Sequence, residues 1–280
     1  MALEATRTGV AADKKREPKR FAPILAFLFA RKEPVVSFLV ILTGWQILSL
    51  MLPPYLVPGI PAIVSAFVEI VSTPALLGDT FTTVARIFLG LILAFITGAL
   101  LGVFMSFSTA IEKYVLPVLH FIMGVPALSW VIFAIIWFSH VEMRIAFILL
   151  AGCLPNYALI IHDGIKSISK EFLDMLRSMR PTRAQLFKML VLPGMMPAVM
   201  TSWKVNLGLA ARVVIVAELV GATRGVGNKL LLAQELFEMP KAIAWTLVLV
   251  VFILLTQFIL LLMERKLLRW RPAKEGGMAT

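Results

Sequence analysis

Six long apolar stretches constrain this chain more than any motif it carries: Val35–Leu52, Val84–Phe107, Val115–Phe138, Met143–Ile161, Val199–Ala222 and Ile243–Met263. Crossing about 30 Å of hydrocarbon at 1.5 Å per residue takes roughly 20 apolar residues, and a helix satisfies its own backbone there. No period-two alternation recurs, which disfavours a β-barrel. Composition agrees, with 60% of the 280 residues hydrophobic and 15% charged. The expected fold is an all-α membrane protein of six transmembrane helices. Residues 1–34 form an N-terminal segment, 35–263 the transmembrane domain with a long loop at about 162–198, and 264–280 a tail.

A net charge of +11, from 27 Lys and Arg against 16 Asp and Glu, would suggest nucleic acid in a soluble protein. Here its distribution orients the spans instead. Eight basic residues precede the first span, six lie in His162–Ala198 (Lys166, Lys170, Arg177, Arg180, Arg183 and Lys188), and five follow Met263. Pro53–Thr83 and Ser139–Glu142 carry none; Thr223–Ala242, with Arg224, Lys229 and Lys241, is the exception among the outer segments. Both termini and the long loop are therefore expected in the cytoplasm, and no nucleic-acid partner is implied. The apolar run Phe21–Ala30 is followed by Arg31–Lys32–Glu33–Pro34 where a signal peptide would need small residues. It reads as a helix lying on membrane lipid.

Within the second span Gly90, Ala94, Gly98 and Gly102 recur every four residues, so one helix face admits close approach of another backbone. Pro117, Pro126 and Pro155 interrupt the third and fourth spans and are expected to kink them. Ionisable side chains in hydrocarbon are costly, which singles out Arg86, His120, Arg144, Lys204, Arg212 and Glu218. Arg86, Arg144 and Lys204 lie near span ends, where snorkelling explains them. Arg212 and Glu218 lie deeper, six residues apart and so on different faces of one helix; they are the candidates for a translocation path, Arg212 as an attractor of anions. The sequence has no H-E-x-x-H, no G-x-S-x-G and no histidine spacing suited to a metal. It also has no G-x-x-x-x-G-K-[ST], so any ATP-driven transport needs a second polypeptide to hydrolyse the nucleotide.

The long loop contains SKEFLDMLRSMRPTRAQLFKMLVLPGMMP from Ser169 to Pro197. Glu171–Met179 reads as an amphipathic helix with Phe172, Met175, Leu176 and Met179 on one face. Arg180–Pro181 breaks it, and Thr182 caps a second helix, Arg183–Leu190, expected to end near Pro193. Such a pair is a docking element for a soluble partner.

This stretch resembles the EAA loop, E-A-A-x3-G-x9-I-x-L-P, of the permease subunits of binding-protein-dependent ABC importers. Asp174 stands for the Glu, Met175 and Leu176 for the alanines, Leu190 for the Ile, and Leu192–Pro193 match, with the spacing kept throughout. The glycine position holds Arg180, followed by Pro181. Val84–Gly102, Val125–Phe138, Ala217–Gly227 (AELVGATRGVG) and Met263–Arg271 are similar to the nitrate/sulfonate/taurine/bicarbonate branch of these permeases.

The resemblance implies a type I importer permease, acting as a homodimer with two cytoplasmic ATPase subunits and a periplasmic solute-binding protein. ATP and Mg would be bound by the ATPase, and no cofactor by this chain. Asp174, Met175, Leu176, Arg177, Met179, Arg180, Pro181, Leu190 and Pro193 would form the ATPase contact, and Thr223–Ala242 would face the binding protein. The expected function is passage of a small anionic solute by alternating access, without catalysis by the chain itself. A stand-alone secondary transporter or channel, and a membrane scaffold, are the alternatives.

Overall fold

A computed structural model describes residues 32–179 and 181–268. These form helices α1 (Lys32–Met51), α2 (Ile60–Ser72), α3 (Pro74–Phe107), α4 (Thr109–Gly124), α5 (Ala127–Trp137) and α6 (Val141–Lys166). They continue with α7 (Lys170–Ser178), α8 (Arg183–Leu186), a π-turn (Phe187–Val191), α9 (Leu192–Leu219), α10 (Val226–Glu235) and α11 (Met239–Leu267). No strand occurs among the described residues. The chain divides into two units, Met1–Met51 and Leu52–Thr280. In the first, α1 is a single apolar helix whose Val35–Met51 stretch is short for a span. The expected helix at 21–30 lies outside the described residues.

In the second unit, α3, α6, α11 and the continuous helix Ala184–Leu219 are each long and apolar enough to cross a membrane; α4 and α5 together make a fifth candidate. The core is a layer in which α6 packs along α3 on one side and α9 on the other. Small residues allow the first contact. A Cβ on Gly98 would lie 2.7 Å from the Leu154 carbonyl oxygen, and one on Gly102 2.4 Å from that of Ala158. Both neighbours are backbone and cannot swing aside, so the face expected from the four-residue repeat is the α3–α6 seam. Phe95, Tyr157 and Trp203 meet edge-on or tilted at centroid distances of 5.3–6.0 Å and fill the space where α3, α6 and α9 converge. Outside this layer, α2 and α10 pack on α11 through Ala66, Ile70, Val226, Ala244, Trp245 and Val248.

Two elements depart from the expected ones. The third span is not one kinked helix. It breaks between Gly124 and Ala127, and α4 and α5 meet at 95°. Pro126 takes the N-cap position of α5 with extended geometry, and Val125 before it is also extended, as the residue preceding proline prefers. Pro117 and Pro155, by contrast, stay inside helices. The second helix of the long loop does not end near Pro193 either. It runs through the π-turn into α9, with Pro193 directly after the π-turn in the first turn of α9.

Candidate functional site

Three regions of the second unit hold side chains that packing alone does not explain. The first is at the C-terminal end of α9, where Glu218 is fully buried. Its carboxylate accepts from Thr83 Oγ1 at 2.9 Å, from Arg86 Nη1 at 2.8 Å and from the backbone N–H of Gly227 at 2.8 Å. Arg86 also donates to Glu142 at 2.6 Å and to the Arg224 carbonyl at 2.7 Å. The segment entering α10 wraps over this carboxylate. Gly225 N–H donates to Asp79 at 3.0 Å and Val226 N–H to Thr83 Oγ1 at 2.8 Å. The first N–H groups of a helix have no partner within it and favour negative charge; here α3 and α9 supply the acceptors. Gly225 has φ +116°, and a Cβ there would lie 2.5 Å from the Glu218 carboxylate. The glycine is therefore required both by its backbone and by the space around it.

This corrects the reading of Arg86 as a snorkelling side chain: it is a half-buried bridge between two carboxylates. Arg144 is not a snorkeller either, since its Nε donates to the Phe138 carbonyl at 2.7 Å and closes the C-terminal end of α5. Lys204 pairs with Glu264 of α11. Arg212 and Glu218 are not brought together. Arg212 is exposed, with its Nε donating to the Gly208 carbonyl of its own helix at 2.9 Å.

The second region is a cleft of about 300 Å³ at the break between α4 and α5. Val125, Pro126 and Trp130 line one wall, and Gly152 and Asn156 of α6 with Leu209 and Val213 of α9 line the other. Asn206 is fully buried behind it, and its Oδ1 accepts from Asn156 Nδ2 at 3.4 Å. Attention to charged residues alone missed both amides. A search for any polar side chain inside an apolar span would have found them.

The third region is α7 together with the chain that joins it to α9. Met175 and Phe172 are more than half exposed, Met179 is 77% exposed, and Asp174 is exposed beside them. Arg180 and the Arg177 side chain lie outside what is described. Thr182 and Gln185 cap α8 reciprocally, Gln185 N–H donating to Thr182 Oγ1 at 3.3 Å and Thr182 N–H to Gln185 Oε1 at 2.9 Å. Pro181, Leu190 and Pro193 are half-buried, Leu190 in the π-turn. The expected docking pair thus consists of an exposed amphipathic helix and the root of a membrane-crossing one.

An all-α bundle of long apolar helices with a broken pair and a cleft beside the break defines a class, the multi-pass helical membrane protein. Residues 86–269 match the family described as binding-protein-dependent transport system inner membrane component, and the chain belongs to that family. It is 29% identical over 240 residues to a Bacillus subtilis (strain 168) protein that carries the name aliphatic sulfonates transport permease protein SsuC, covering 85% of this chain and 87% of that one. It is 26% identical over 188 residues to the taurine transport system permease protein TauC of Escherichia coli (strain K12), covering 67% and 68%. An inward-facing structure of the MetNI methionine ABC transporter shares the fold, with a TM-score of 0.60 at 18% identity over 69% of this chain and 95% of that one. The chain is an inner membrane component of a binding-protein-dependent transport system.

Proposed function

We propose that this chain forms the path through which an ATP-driven importer passes a small anionic solute, of the sulfonate or nitrate kind, by alternating access. The names carried by its relatives support the solute class. In this reading the permease pairs with a second copy, both termini and α7 face the cytoplasm, and α10 faces the periplasmic binding protein. Two ATPase subunits grip α7 and α8 through Asp174, Met175, Leu176, Arg177, Met179, Arg180, Pro181, Leu190 and Pro193. ATP and Mg belong to those subunits.

The observation that carries the reading is an exposed amphipathic helix followed, after a short break, by the root of a long apolar one. Exposed Phe172, Met175 and Met179 offer apolar surface that a soluble partner can cover. The helix that follows in the chain runs from Ala184 to Leu219, 36 residues, or about 54 Å. In this reading, closure of the ATPase dimer on α7 and α8 moves that long helix, which lines the cleft through Leu209 and Val213 and carries Glu218 near its far end. A packed bundle responds by repacking between discrete arrangements. The test is co-purification of the ATPase with the Asp174→Lys, Leu176→Asp double variant. Loss of the partner at unchanged permease yield is expected, and wild-type recovery overturns the docking role. ATP-independent flux through liposomes holding this chain alone would instead identify a secondary carrier. For Arg212, unchanged anion uptake by Arg212→Ala at equal expression would remove it from the path.

A further inference from the structure

We propose that Pro193 is a positioning residue: by forcing the π-turn it sets the rotation of α8 about the axis of α9, and so how the two docking helices present themselves to a partner. The proposal rests on the ATPase-docking reading and gives Pro193 its part in that contact by winding rather than by touch.

At Phe187–Val191 the helix winds wide, and the Leu192 N–H donates to the Phe187 carbonyl five residues back. Such turns are rare and occur singly inside α-helices, so this one needs a local cause. Pro193 supplies it. In an α-helix its ring would strike the carbonyl of Met189, four residues back, and that carbonyl would find no N–H to accept. A turn one residue wider moves the carbonyl from under the ring. Pro155 and Pro197 keep α winding because packed turns hold the helix on both sides of them. What flanks the π-turn is unequal. After it, Val191 and Met195 are buried, a Cβ on Gly164 would lie 2.4 Å from the Ala198 methyl, and one on Gly194 2.8 Å from Ile168 Cδ1. Those contacts lock α9 to α6 and tether the start of α7 through Ile168. Before it, α8 makes its principal contacts with the π-turn itself. A change of winding is therefore taken up by α8. One residue of α-helical advance is a rotation of about 100°, enough to aim α8 away from the side on which α7 stands.

The test is a deletion cycle in the complete importer, read by co-purification of the ATPase. Met189 is 66% exposed, so removing it takes nothing from the core. Pro193→Ala lets the stretch rewind as α-helix, which rotates α8, and should lower ATPase recovery about tenfold. Deletion of Met189 alone keeps the proline but takes away the residue that the wide turn needs, and should be as damaging. Together the two changes give a plain α-helix in which α8 and α9 keep their native register. Recovery should then return to within about twofold of wild type. A proline that touched the ATPase, or only stabilised the fold, would leave the double variant no better than the worse single one. That result overturns the proposal, and so does wild-type recovery by Pro193→Ala. Spin labels on cysteines at Ala184 and Ser167, both exposed, read the winding in the full-length permease without a partner, Cys153 being buried. Pro193→Ala should shift their separation by up to about 8 Å, the chord of that rotation at the outer radius of a helix, and the double variant should restore it. An unchanged separation in Pro193→Ala overturns the proposal. A shift that the deletion reverses, in a permease whose wild type retains no ATPase, rejects the docking reading alone.

Discussion

At its C-terminal end α9 delivers Glu218 to a site without solvent, where a hydroxyl, a guanidinium and a backbone N–H satisfy it. The segment that feeds its N-terminal end leaves Phe172, Met175 and Met179 exposed. One region is complete within the chain, and the other is half of a contact. A buried charge survives only where its partners are fixed, because losing one strands the rest in low dielectric. An exposed apolar patch costs little in the fold and gains its value when a partner covers it. Stability and partner recognition should therefore separate cleanly between the two ends.

Variants can break or sharpen that contrast. Glu218→Leu strands Arg86, Thr83 and the α10 entry at once, and should cost about 3–5 kcal/mol. The readout is loss of the cooperative melting transition in detergent, and near-wild-type melting would mean that the cluster is not a lock. Gly102→Val drives a side chain into the Ala158 carbonyl and should cost about 1–3 kcal/mol by spreading the α3–α6 seam. Its melting temperature should fall by less than that of Glu218→Leu. Lys204→Met removes a partly exposed ion pair with Glu264 and should change stability by about 0–1 kcal/mol, less at high salt. Met175→Asp should be the mildest, within about 0.5 kcal/mol of wild type in melting. The same variant should lose most of its ATPase in pull-down; a destabilised but ATPase-binding Met175→Asp would invert the comparison.

Much of this was legible in the chain, for reasons that differ by residue. The α3 face of Gly90, Ala94, Gly98 and Gly102 could be read because a helix repeats its faces every three to four residues, whatever lies opposite. The Thr182 cap and the extent of α7 were legible because capping and amphipathicity are local. Pro126 was visible as an interruption, yet it looked no different from Pro117 and Pro155. That it alone ends a helix depends on the extended Val125 before it and on the space between α6 and α9 into which α5 turns.

Hydrophobic run length and helical period are properties of short stretches, so the sequence by itself determined that this is a helical membrane protein, where its four long apolar helices lie and which segment is amphipathic. The partners of Arg86 are 56 and 132 residues away in the chain, and Asn156 meets Asn206 across a separation of 50. No local pattern selects one distant carboxylate or amide over another. Those pairings, the break that opens the cleft, and the joining of the loop helix to α9 were decided by the tertiary structure. Each depends on which helix faces pack together, and that choice is settled by close packing of the whole bundle.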